Sequence, residues 1–117
     1  MISIRGAITV SENTKRDILE STKLLLLAIL ESNSLKNEDV ISIYFTATKD
    51  LTKAYPAVAA RDVGLTECSL SCVQEMYVEG SMDMCIRIQL LVNSECCQKD
   101  VKHVYLREAK SLRPDIN

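Results

Sequence analysis

The chain has 117 residues, of which 47% are hydrophobic, a size and composition that predict one folded domain spanning residues 1–117. With 14 basic and 16 acidic residues the net charge is −2, which argues against nucleic-acid or anionic-membrane partners. The longest apolar run, residues 24–30, is too short to span a bilayer, and Arg5 and Gly6 interrupt the apolar start that a signal peptide needs. We therefore expect a soluble cytoplasmic protein.

The first half of the chain predicts a strand, a long helix and a second strand. Residues 2–10 alternate loosely between β-branched and polar residues, with Arg5 on the polar side. Thr14, with Asp17 three residues later, is a helix start, and apolar residues recur at helical spacing until about Asn33. Residues 41–48 then alternate as a second strand.

The second half predicts a short helix and three strands. Pro56 suits the first turn of a helix that ends near Arg61, with Gly64 as its C-terminal cap. Strands are predicted over residues 66–73, 85–93 and 101–106. Because no long helix separates these three strands, we expect them to pair antiparallel, with the long N-terminal helix on one face of a mixed sheet. The fold class is therefore α+β.

Few residues are suited to cofactor or nucleophile chemistry. The five cysteines form no Cys-x-x-Cys motif, and His103 lies outside any zinc-ligand spacing, so we expect reduced thiols and no metal site. Only three glycines occur, which argues against a phosphate-binding loop.

Arginines in apolar or strand-like segments are the more informative feature. In a strand over residues 85–93, Cys85, Arg87 and Gln89 share one face, opposite an apolar face. Arginine binds carboxylates through two parallel hydrogen bonds, so several arginines in one pocket would indicate a small anionic ligand. A solvent-exposed Arg87 that only pairs with a nearby glutamate is the alternative.

Taken together, a set of segments resembles the monofunctional chorismate mutases of the AroH class. They are Ile4-Arg5-Gly6-Ala7, Ala47-Thr48-Lys49-Asp50-Leu51, Tyr55-Pro56-Ala57 with Arg61, Cys72-Val73-Gln74-Glu75-Met76, Cys85-Ile86-Arg87, His103-Val104-Tyr105-Leu106 and Leu112-Arg113-Pro114-Asp115. The resemblance implies a homotrimeric pseudo-barrel with active sites between subunits. It also implies the pericyclic rearrangement of chorismate to prephenate, on the way to phenylalanine and tyrosine, without cofactor or metal.

The resemblance also implies roles for individual residues. Arg87 would donate to the ether oxygen of the substrate, and Glu75 would lie near the ring hydroxyl and the positive charge that develops on the ring. Arg5 and Tyr105 would bind a carboxylate, and Cys72 would line the cleft as a weak hydrogen-bonding group. Further cleft positions are Tyr55, Ala57, Arg61, Ser71, Val73 and Leu112, with the segment from Tyr55 to Arg61 reaching a neighbouring subunit.

Some positions depart from the family pattern. Tyr55 replaces a usual phenylalanine, Ser71 a threonine, and Val58 a lysine that is common near the cleft mouth; only Ile116 and Asn117 follow Asp115. Loss of the lysine predicts a raised KM more than a lowered kcat. Two alternative functions remain: a trimeric small-molecule binding or regulatory module on the same scaffold, and an imine-hydrolysing enzyme of similar trimeric shape.

Overall fold

The computed structural model describes residues 1–115 and contains one five-stranded mixed sheet with two helices. The predicted tail residues Ile116 and Asn117 lie outside the described residues. The strands are β1 (Ile2–Thr9), β2 (Val40–Ala47), β3 (Ser69–Gln74), β4 (Cys85–Val92) and β5 (Val104–Leu106). The helices are α1 (Lys15–Ser32) and α2 (Ala57–Asp62), with short 3₁₀ helices at Asn37–Asp39, Gln98–Asp100 and Arg107–Leu112.

The helix ends follow the predicted local chemistry. The Thr14 hydroxyl accepts a hydrogen bond from the Asp17 backbone N–H (3.1 Å), which caps α1 at its predicted start. Gly64 follows α2 with φ +91°, and the Leu65 N–H reaches back to the Ala60 carbonyl, the paired arrangement of a Schellman cap. Both predicted helices are therefore confirmed.

The sheet order β3-β2-β4-β1-β5 contradicts the predicted antiparallel pairing of the last three strands. β4 is antiparallel to both β1 and β2, whereas β3 pairs parallel with β2 and β5 pairs parallel with β1. The connection from β2 to β3 carries α2 and is long enough for a parallel crossover, and β4 then inserts between β1 and β2 instead of forming a hairpin with β3. The mixed sheet itself is confirmed.

Both helices contribute to the core on one face of the sheet, which leaves the other face available for a site. α1 buries Ile18, Leu25, Leu26 and Ile29, which pack with Ile4, Ile8, Phe45, Ile86 and Leu90. The close approach depends on Gly6, where a Cβ would lie 2.7 Å from Ile29 Cδ1. Since side chains alternate along a strand, Arg5, Thr46 and Arg87 lie on the opposite face.

Candidate active site

Arg87 lies in the middle of the sheet because its strand, β4, is the central one. It pairs with Ala7 of β1 on one side and Thr46 of β2 on the other. These small neighbours leave its guanidinium group room above the sheet, and the side chain keeps 41% of its surface exposed. A long cation is thereby held on a rigid strand, as a precise binding site requires.

Glu75 is the acidic partner of Arg87. It follows the end of β3, where its backbone N–H donates to the Ala47 carbonyl (3.2 Å) and continues the pairing with β2. Its side chain is only 14% exposed, and Oε1 accepts a hydrogen bond from the Thr46 hydroxyl (2.8 Å).

The contact between Arg87 and Glu75 is an ion pair and not an aligned hydrogen bond. Arg87 Nε lies 2.9 Å from Glu75 Oε1, yet this buried nitrogen has no properly oriented acceptor within residues 1–115. Distance and geometry differ here because the N–H does not point at the oxygen. The Glu75 carboxylate therefore balances the charge of the guanidinium, while the Nε–H of Arg87 makes no hydrogen bond to it.

Arg5 and Tyr105 complete the cleft at the β1 edge. Arg5 is exposed, and its backbone N–H donates to His103 Nδ1 (2.9 Å). Tyr105 pairs with Ala7 and is 5% exposed. Burial lowers the pKa of His103, and the charges of Arg5 and Arg113 lower it further. The imidazole therefore favours its neutral form, which its acceptor role requires.

One cleft of about 440 Å³ is lined by Arg5, Glu75, Arg87 and Tyr105. Tyr44, Thr46 and Gln89 also line it. The structure thus brings together Arg5, Glu75, Arg87 and Tyr105, which are far apart in sequence. Two cations, one carboxylate and one phenol suit a small ligand that carries negative charge.

A second groove, of about 540 Å³, holds three more of the predicted residues, Tyr55, Cys72 and Val73. Gln74 lines both this groove and the cleft, which places the two side by side. Within one chain they remain separate cavities.

Comparison with known proteins agrees with this arrangement. The chorismate mutase type I family matches residues 1–116. The chain belongs to this family. It is 46% identical over 114 residues to chorismate mutase AroH of Thermus thermophilus, covering 97% of this chain and 93% of the relative. It is 42% identical over 115 residues to chorismate mutase AroH of Bacillus subtilis, covering 97% and 91%.

A solved structure supports the family assignment. Chorismate mutase from Clostridium thermocellum superposes with a TM-score of 0.92 at 50% identity, covering 93% of this chain and 97% of that one. The predicted chorismate mutase fold is therefore confirmed.

Four other residues that were predicted for the site line neither cavity. Ala57 is 8% exposed and belongs to the core, while Arg61 is exposed in the last turn of α2. Ser71 pairs with Tyr44, and Leu112 packs against the small cluster that contains Tyr105. The single chain does not bring these four into the cleft.

Cys85 shares the face of Arg87, as predicted, but it does not line the cleft. It is fully buried with Ala7, Tyr105 and Ala109. Burial raises the pKa of Cys85 to about 11, so the group stays a thiol and is a poor nucleophile.

Tyr44 and Thr46 are cleft residues that the sequence analysis missed. Strand periodicity puts them on one face of β2, but only the pairing of β2 with β4 shows that this is the face of Arg87. Among residues 1–115, no three His, Cys, Asp or Glu side chains are grouped to hold a metal ion, and no helix is long and apolar enough to cross a membrane.

Proposed function

We propose that this protein converts chorismate to prephenate, a Claisen rearrangement in aromatic amino acid biosynthesis, in the cytoplasm. The reaction is intramolecular: one ether C–O bond breaks while one C–C bond forms, and no atom leaves the molecule. The protein must therefore hold the substrate folded and stabilise the charge that develops, without forming a covalent bond to it.

Arg87 carries the main catalytic role. As the ether bond breaks, negative charge grows on its oxygen, and a fixed cation with exposed N–H donors stabilises this charge more in the transition state than in the ground state. The observation that supports this role is the half-exposed guanidinium on the central strand, held beside Glu75 at 2.9 Å.

Glu75, Arg5 and Tyr105 have supporting roles. The Glu75 carboxylate offers an acceptor to the ring hydroxyl and a negative charge to the electron-poor ring. Arg5, exposed at the edge of the cleft, binds a substrate carboxylate, and the Tyr105 hydroxyl hydrogen-bonds a carboxylate.

The active unit is a homotrimer whose sites form between subunits. Within one chain, the second groove, which holds Tyr55, Cys72 and Val73, is separate from the Arg87 cleft. This supports the proposal, because the groove of one subunit can face the cleft of its neighbour and the two can then form one shared site. The remaining predicted contacts, Ala57, Arg61, Ser71 and Leu112, then come to the site with the neighbour or line its rim. Light scattering should give three times the chain mass; a fully active monomer would contradict the shared site.

The first test is loss of the ultraviolet absorbance of chorismate, with acid conversion of the product to phenylpyruvate as confirmation. Arg87→Ala removes the donor to the ether oxygen and should lower kcat by about 10²–10³-fold, as loss of a single oxyanion donor does. Arg16→Ala is a matched control, because Arg16 lies on α1 in an exposed pair with Glu20 and should leave kcat unchanged. Full activity of folded Arg87→Ala would overturn the mechanism.

The binding-module alternative predicts a different result. Such a protein would bind chorismate through Arg5 and Arg87 without releasing prephenate. Calorimetric binding by wild type, with no absorbance loss over hours, would favour it.

A further inference from the structure

The Thr46 hydroxyl lies against the carboxylate of Glu75. Thr46 is on β2, between Arg87 of β4 and Val73 of β3. Its Oγ1 donates to Glu75 Oε1 (2.8 Å), the same oxygen that lies 2.9 Å from Arg87 Nε. Both contacts therefore fall on one carboxylate oxygen, and within residues 1–115 Oε2 accepts no hydrogen bond.

This arrangement differs from the preferred geometry of an arginine–carboxylate ion pair. Such pairs favour two parallel N–H···O bonds, which here would satisfy the buried Nε of Arg87. Instead Nε has no aligned acceptor, although an oxygen lies within 3 Å. A buried, unsatisfied donor is costly, and the Thr46 hydroxyl is the group that shares the same carboxylate oxygen.

We propose that Thr46 is a positioning residue, whose hydroxyl fixes Glu75 by Oε1 and thereby prevents a two-point ion pair with Arg87. Oε2 then stays available to the ring hydroxyl, and the guanidinium keeps donors for the ether oxygen. This inference rests on the proposed roles of Glu75 and Arg87 in the rearrangement.

Three variants test the role of the hydroxyl. Thr46→Val keeps the size and β-branching but loses the donor, so it should fold and lower kcat about tenfold, with KM within about twofold. Thr46→Ser restores the hydroxyl and should recover at least half of the activity. Thr22→Val is the matched control, because it removes a buried hydroxyl that donates to the Ile18 carbonyl (2.7 Å) on α1, and should leave kcat unchanged.

A double variant separates positioning from a direct effect. If Thr46 acts through Glu75, then Thr46→Val should change kcat by less than about twofold once Glu75→Ala is present. An equal loss of activity in both backgrounds would overturn the proposal, as would full activity of Thr46→Val alone.

A crystal structure of Thr46→Val gives a readout that needs no turnover. The Glu75 carboxylate should rotate so that Arg87 Nε donates to it. If wild type fails to convert chorismate, the proposed function is wrong, but this structure still decides the role of Thr46. A Glu75 carboxylate that keeps its wild-type position in the variant would overturn the positioning role.

Discussion

Replacing Gly6 with alanine tests how closely α1 sits on the sheet. A Cβ at this position would lie 2.7 Å from Ile29 Cδ1, 2.8 Å from the Val104 carbonyl oxygen and 3.2 Å from Leu25 Cδ1. The two methyl groups end flexible side chains and can shift. The Val104 oxygen belongs to the backbone of β5, so relieving that contact requires the strand to move away from β1.

The expected cost follows from these contacts. Overpacking a well-filled core costs about 1–3 kcal/mol, and a backbone obstacle puts Gly6→Ala in the upper part of this range. Alanine also lowers the conformational entropy of the unfolded chain, which stabilises the folded state by about 0.4–1 kcal/mol. The net loss of unfolding free energy should be about 2 kcal/mol, or roughly 6–8 °C in Tm for a chain of this length.

Urea unfolding followed by circular dichroism, at fixed chain concentration, measures this loss. Ile29→Val serves as a companion variant because it removes the Cδ1 atom nearest to the new Cβ. In wild type it should cost about 0.5–1.5 kcal/mol, and in the Gly6→Ala background it should cost less. A Gly6→Ala protein as stable as wild type would refute the packing argument.

Two further predictions concern pH and backbone strain. The neutral form of His103 accepts a hydrogen bond from the Arg5 N–H, and folding lowers the pKa of His103 from 6.5. The contribution of His103 to the unfolding free energy is therefore complete above pH 6.5 and is lost as the pH falls through the lower pKa of the folded state. Urea unfolding at pH about 7.5 and about 5.5 measures this loss of unfolding free energy. His103→Asn keeps an acceptor that does not titrate, so its unfolding free energy should fall less between the two pH values than that of wild type. Equal losses in the two proteins would contradict the role of His103. Ser34 has φ +52° just after α1, so Ser34→Gly should raise the unfolding free energy by about 0.5–1 kcal/mol; a lower urea midpoint would count against this strain.

The sequence predicts local structure well because local chemistry decides it. The hydroxyl of Thr14 and the glycine at position 64 act on residues within one turn of themselves. Strand periodicity likewise assigns Arg5 to a polar face, as the structure confirms.

The pairing of strands was less accessible because it depends on distant segments. Nothing near Ser69–Gln74 or Cys85–Val92 reveals that β4 inserts between β1 and β2. The same limitation hid Thr46 and Tyr44, whose proximity to Arg87 follows from that insertion. Strand periodicity singled out Arg87, and the family resemblance assigned roles to Arg5, Glu75, Arg87 and Tyr105; the fold brings these four to one cleft.

The central location of β4 also bears on how the chain assembles during synthesis. β1 and β2 leave the ribosome early, yet they are joined to each other only through a strand that ends at Val92. Until β4 emerges, the edges of β1 and β2 that it will join stay unpaired. Closing the loops between these strands also costs conformational entropy before the pairing with β4 can offset that cost. Newly made chains should therefore depend on chaperones most during the interval before β4 is complete, when those edges can pair with other chains.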